Sequence, residues 1–216
     1  MDPYRNKVLV GVALFLLFIS SENLFATTGV LLEDFNSCQI PVDWEVMDLL
    51  EHEGGSCGWQ WRLNEGLEVN KTGGGDEGCF ILANSDECGL GTNIDTVLVT
   101  PSLDCLDLTG ISLSFKYDAF EGQGTSTFAV EISTDGGSNW VPVWQQAQSD
   151  RGPKTASVDI SSEADGQPSV LIRFRYNASW DWWWQIDDVT VISNEKKSFN
   201  WLLFLPAITA GSDPTV

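Results

Sequence analysis

The residues best placed to do chemistry lie near the end of the chain, in Ile186-Asp187-Asp188-Val189. Val189 and Val191 share one face of a regular strand, and Ile186 then falls on the opposite face with Asp188. For Ile186 and Val189 both to point into a core, the strand must bulge at Asp187-Asp188. Such a bulge can aim a carboxylate inwards. A buried carboxylate is costly unless a cation, an arginine or backbone N–H groups offset it. Calcium suits the place, since it takes roughly six to eight oxygen ligands and tolerates carboxylates beside carbonyls. Asp76 and Glu77, at the end of Gly73-Gly74-Gly75, are further candidates. The alternatives are pairing of Asp187 or Asp188 with Arg173 or Arg175, or carboxylates left in water.

The second feature is Trp180-Asp181-Trp182-Trp183-Trp184. Neighbours on a strand point to opposite faces, so these indoles cannot all enter one core. Trp180, Trp182 and Trp183 are the candidate ligand-binding residues. An exposed indole beside Asp, Asn and Gln suits stacking on a sugar face or a protein hot spot. The competing reading is core and edge packing with no ligand. Trp59 and Trp61 share a face if their segment is extended, and are candidates to flank the same surface.

Catalytic chemistry has little to rest on. The single histidine, His52, sits in a polar, Glu-rich stretch, and no Gly-x-Ser-x-Gly elbow is present. A glycoside hydrolase needs two carboxylates facing each other across a cleft. Among 31 acidic residues, a match of residue type decides nothing. The chain reads as a binding module and not an enzyme.

The elements that position these residues are strands. Ile111, Leu113, Phe115 and Tyr117 alternate with polar residues, as do Phe128, Val130 and Ile132. Val170, Ile172, Phe174 and Tyr176 form a third alternating set. Shorter candidates are 79–83, 96–100, 156–160 and 189–192. Asp135-Gly136-Gly137-Ser138-Asn139 looks like a hairpin connection. Residues 45–53 are the one place where a turn or two of helix is expected. Many short strands divided by turn signals imply an all-β sandwich or barrel. The triple glycine is no phosphate cradle, because no Lys-Ser/Thr pair and helix follow it.

Eleven basic residues against 31 acidic ones leave a net charge of −20, which repels phosphate backbones and argues against nucleic acid as a partner. Residues 1–26 have the layout of a signal peptide. Arg5 and Lys7 precede an apolar run from Val8 to Ile19, and Ala26 marks the expected cleavage point. That run is shorter than the roughly 20 residues a membrane span requires. Export permits disulfides. None of the cysteine spacings is a CxxC, and the expected pairs are Cys79 with Cys88, then Cys38 with Cys57; the odd count leaves one thiol over or implies an intermolecular bond. Residues 194–216 read as a tail with a short apolar piece, Trp201–Leu205, too short to span a bilayer. Asn70-Lys71-Thr72 and Asn177-Ala178-Ser179 are glycosylation sequons, which matter only in a eukaryotic secretory pathway.

Several segments together carry a family resemblance. Glu33-Asp34-Phe35-Asn36 is followed by Ile40-Pro41-Val42-Asp43-Trp44, then by Ser133 to Trp140, and last by Trp184-Gln185-Ile186-Asp187-Asp188-Val189-Thr190-Val191. Val99 to Leu103 and Leu113 to Tyr117 fit between them, and Ser56-Cys57-Gly58-Trp59 is similar to a Cys-Gly-Trp of true MAM domains. In order and spacing these resemble the MAM-like jelly rolls, the group of cleaved-adhesin and choice-of-anchor domains of bacterial surface proteins. The resemblance spans residues 30–193 and implies that 27–193 is a two-sheet antiparallel jelly-roll sandwich. It also implies a structural calcium held by Asp34, Asn36, Asp187 and Asp188, with Asn36 standing where the family often has Glu. The implied role is protein-directed adhesion or assembly by a secreted or cell-surface protein, with carbohydrate binding as the alternative. The expected partner is an extracellular protein or glycan.

Overall fold

The computed structural model describes residues 25–50, 58–63, 70–74, 78–89, 91–122 and 124–196. The expected leader up to residue 24, the tail from 197, His52, Cys57, Asp76 and Glu77 lie outside them. In chain order the strands are β1 (Phe25–Glu33), β2 (Glu45–Asp48), β3 (Gln60–Leu63), β4 (Cys79–Asn84), β5 (Asn93–Val99) and β6 (Ser112–Phe120). They continue as β7 (Thr125–Ser133), β8 (Val141–Gln146), β9 (Asp150–Asp159), β10 (Leu171–Ser179) and β11 (Trp183–Lys196). One helical turn, α1 (Ser161–Ala164), follows β9.

The strands form a two-sheet antiparallel jelly roll. The first sheet runs β3-β4-β11-β6-β9, with β1 paired to the latter part of β11. The second runs β2-β5-β10-β7-β8. The alternations expected in β6, β7 and β10 hold, and Leu113, Phe115, Phe128, Val130, Ile172 and Phe174 all enter the core. The 135–139 segment joins β7 to β8, as its turn residues imply. Its Asp135 accepts from the Asn139 N–H at 2.9 Å and the Asn139 amide at 2.7 Å, which hold the carboxyl down at about 2.

Residues 45–48 depart from expectation. They form β2 and not a helix, because Glu45 to Asp48 pair with Val99 to Thr96 at the edge of the second sheet. The cysteine pairing is also corrected. The bond joins Cys38 to Cys79, so neither Cys79–Cys88 nor Cys38–Cys57 forms. Cys79 opens β4 and Cys88 follows its far end. The extended strand keeps them apart, with roughly 17 Å between its own ends. Cys38 instead sits in a tight turn, with φ of 54° and its N–H on the Phe35 carbonyl at 3.0 Å. Gly78 lets that turn lie close, since a Cβ there would meet the Asn36 amide. Cys105 is buried.

Trp184 is the hub of the core. It is fully buried and lies within 5.2 to 6.4 Å, centroid to centroid, of Trp59, Phe115, Phe128, Trp144 and Phe174. β11 sets the long axis. Its end pairs with the start of β1, Lys196 opposite Phe25, so the two ends of the domain leave side by side. The last two residues of the expected leader, Phe25 and Ala26, are thus paired, opposite Lys196 and Glu195. Trp183 opens the same strand, roughly 40 Å away along a 14-residue span.

Candidate functional site

The bulge expected in β11 is present. The pairing with β6 slips between Asp187 and Thr190, and Asp188 takes a φ of 47°. Ile186 and Val189 are both fully buried, as the bulge requires. Asp187 is fully buried as well, but it does not face the space between the sheets. It shares the outer face with Trp183 and Gln185, beneath a strap formed by residues 70–74.

The strap is tied down polar group by polar group. The Asn70 amide donates to Asp187 Oδ2 at 3.1 Å, and the Thr72 hydroxyl donates to the same oxygen at 3.3 Å. The Asp188 N–H donates to Asp187 Oδ1 at 2.9 Å. The Lys71 N–H donates to Gln185 Oε1 at 2.8 Å. Two glycines allow this contact. A Cβ on Gly74 would lie 2.6 Å from Asp187 Oδ2, and one on Gly152 would lie 2.0 Å from the Lys71 carbonyl oxygen. Burial pushes the Asp187 carboxyl up to about 6 in spite of its donors.

Neither arginine weighed as a partner reaches these aspartates. Arg173 and Arg175 lie in β10 of the other sheet, where Arg173 pairs with Glu131 at 2.6 Å and Arg175 with Asp95 at 2.8 and 2.6 Å. Asp188 pairs with Lys116 at 2.8 Å. Asp34 and Asp188 line one groove of about 510 Å³ together with Glu33, Lys116 and Thr190. Asp34 also accepts the Asn36 N–H at 3.1 Å, and the Asn36 side chain lies against Gly78. The four expected calcium ligands are thus divided between this groove, the turn and the strap. Among the described residues no three acidic, His or Cys side chains gather as a metal cluster. Asp187 is a buried carboxylate, but its Oδ2 faces the Asn70 N–H, so a cation fits there only with that amide turned to present its oxygen.

The tryptophans divide by face. Trp184 goes to the core, and Trp183 is half-buried with its indole N–H on Asp118 Oδ2 at 2.9 Å. Asp118 is fully buried and also binds Arg151 at 2.7 and 3.1 Å. Arg151 in turn lies over the Phe120 ring, 3.8 Å from its centroid. Trp180 and Trp182 remain 45 % and 40 % exposed. Trp182 stacks on Phe120, and a Cβ on Gly122 would lie 2.1 Å from its indole nitrogen. Asp181 locks the turn between them, accepting from the Gly122 N–H, the Trp182 N–H and the Ser126 hydroxyl. Trp180 holds a φ of 44°, a strained conformation for a bulky residue.

Two concavities adjoin Trp182. One of about 160 Å³ is lined by Asp86, Trp180, Asp181 and Trp182. The other, about 240 Å³, is lined by Leu82, Asn84, Asp86, Glu87, Trp182, Trp183 and Gln185. Trp59 enters the core and Trp61 is 41 % exposed, but neither lines these hollows. Sequence reasoning missed Phe120, Asp86 and the strap. The alternation of β6 was enough to turn Phe120 outwards, but not to bring it under Trp182.

No family model matches the chain, and no curated protein matches it. Solved structures do. The K1 cleaved adhesin domain of Lys-gingipain from Porphyromonas gingivalis W83 matches with a TM-score of 0.55 at 20 % identity, over 77 % of this chain and 97 % of that one. The K3 cleaved adhesin domain of the same protein gives 0.53 at 19 %, over 76 % and 98 %. The K2 domain gives 0.52 at 18 %, over 79 % and 100 %. At this identity the likeness is one of fold alone, a jelly roll. No helix among the described residues is long and apolar enough to cross a membrane.

Proposed function

We propose that this chain is a non-catalytic binding module of an exported or cell-surface protein, and that it attaches to its extracellular partner through the Trp180–Trp183 end. The observation that carries this reading is Trp182. A large indole is left 40 % exposed, yet it is fixed from behind by Phe120 and at its edge by Gly122. Exposed aromatics that are also held in place are the usual anchors of recognition surfaces. Their position suits attachment, because the aromatic end lies at the opposite pole from the paired ends at Phe25 and Lys196. The Cys38–Cys79 bond and the basic-apolar leader support export. A role in adhesion agrees with the cleaved-adhesin domains that share the fold.

Calcium enters this proposal as a structural ion. Asp187 would hold it, with the Thr72 hydroxyl and the Asn70 amide oxygen, once turned towards the ion, as neutral oxygens, and its chemistry would be to offset the buried charge under the strap. Asp188 has no part, since Lys116 already meets its charge.

The test is attachment of the intact chain to surfaces coated with extracellular proteins and with glycans. Trp182→Ala should lose about tenfold or more in attachment while its melting temperature stays close to that of the parent. Unchanged attachment would overturn the reading.

A further inference from the structure

We infer that the ligand held at this end is a neutral oligosaccharide spanning at least two sugar rings. The inference rests on the aromatic end being the binding surface, and goes on to name what it binds. Trp180 and Trp182 are two exposed indoles, and Trp182 and Asp86 line both adjoining hollows. Phe120 stacks on Trp182 and Trp183 meets it nearly at right angles, centroids 5.4 Å apart, and 40 % of the residue still stays exposed. A sugar ring presents an apolar C–H face that lies flat on such an indole. Its hydroxyls then need oxygen and amide partners around the ring. Asn84 and Asp86 supply them, the Asp86 carboxylate having no hydrogen-bond or ion-pair partner among the described residues, while Glu87 is held by Arg62 and the Gln185 oxygen by the Lys71 N–H.

The rim decides between ligand classes. A protein hot spot is ringed by contacts that exclude water. Here the ring around Trp182 is mostly polar. The rim also decides between sugars. The two nearby cations are both paired, Arg62 with Glu87 at 2.6 Å and Arg151 with Asp118 at 2.7 Å, so the acidic edge is not reversed in sign. With a net charge of −20 behind it, this edge disfavours uronic and sulfated sugars. The open face of the second sheet offers a groove of about 360 Å³, but its described lining, including Thr127, Glu131, Arg175 and Asn177, holds no aromatic. It lacks a stacking platform, and its arginine is committed to Asp95.

The experiment is an array of neutral and acidic glycans probed with the intact chain, followed by titration of the positives with tryptophan fluorescence. Neutral oligosaccharides should bind and quench, about tenfold more tightly than the matching monosaccharide. Uronic and sulfated glycans should bind at least about tenfold more weakly. Trp182→Ala and Trp180→Ala should each lose about tenfold in affinity with the melting temperature lowered by only a few degrees, and Trp180 provides the second readout if the first variant misfolds. An array on which no neutral glycan binds, or on which acidic glycans bind as well, overturns the inference. If Trp182→Ala still abolishes attachment to a protein-coated surface, the binding surface stands and only its glycan ligand falls. If a glycan binds and neither variant affects it, the aromatic end is not the site and both readings fall.

Discussion

Trp182 lies face to face with Phe120, ring centroids 5.1 Å apart and planes 11° apart. Trp184, two residues on, has no exposed surface and stacks on Trp144 at 5.8 Å. Strand alternation would give the two residues one face, but Trp182 precedes β11 and belongs to the turn that Asp181 fixes. That turn releases Trp182 from the core and gives it to the surface.

This division has an energetic signature. Trp184→Ala removes the hub of the core and should cost about 3–5 kcal/mol. Trp182→Ala loses two partly exposed aromatic contacts, with Phe120 and Trp183, together worth about 1–3 kcal/mol. Urea denaturation of the two variants checks the contrast. Equal losses would mean that Trp182 is a core residue and not a platform.

Gly122 offers a way to move the platform without deleting it. A Cβ there would stand 2.1 Å from the Trp182 indole nitrogen, so Gly122→Ala must push the ring aside. The expected result is a shifted fluorescence maximum and an attachment loss close to that of Trp182→Ala, with far-UV circular dichroism unchanged. Full attachment by the alanine variant would show that the position of the indole does not matter.

The Cys38–Cys79 bond closes a separation of 41 residues. By chain entropy a loop of that length contributes about 4 kcal/mol, and native disulfides commonly deliver about 2–4. Reduction, or Cys38→Ala with Cys79→Ala, should lower the urea midpoint accordingly. Non-reducing peptide mapping should recover a fragment that joins Cys38 to Cys79. A Cys79–Cys88 fragment would contradict the fold at β4.

The sandwich was legible because its strands are regular. Phe115, Phe128 and Phe174 alternate with polar residues, and period two needs no tertiary information. The bulge was legible too, because Ile186 and Val189 cannot share a face without it. The cysteine pairing was not. Short loops look favourable in sequence, yet β4 is extended and separates Cys79 from Cys88, while the turn at Phe35–Cys38 comes from 41 residues away. Nor was the strap. Asn70 and Thr72 reach Asp187 across more than 110 residues, and nothing local to either segment announces the contact. The pairing of the aspartates with Arg173 or Arg175 was a proximity argument along the chain, and the sheet division defeats it.

Asp187 makes the sharpest prediction about pH. Unfolded, its carboxyl titrates near 3.8, and in the fold burial raises it to about 6. Between these values the folded chain keeps a proton that the unfolded chain has lost. The stability this group contributes is therefore complete below the lower value and is lost as the pH rises through the upper one. The difference corresponds to roughly 2–3 kcal/mol. Asp187→Asn is neutral at every pH and keeps an oxygen for the strap's donors, losing at every pH only the bond from the Asp188 N–H. In calcium-free buffer the variant should gain on the parent by about that amount between about pH 4 and pH 7. Calcium should reverse the order. An ion bound to the charged form stabilises the parent at neutral pH by about 2.7 kcal/mol at a hundredfold excess over its dissociation constant, and the variant gains less. Chemical denaturation of both proteins, with calcium and with chelator, reads all four arms. A pH-independent difference would remove the buried titration, and a parent indifferent to calcium would remove the ion from the strap.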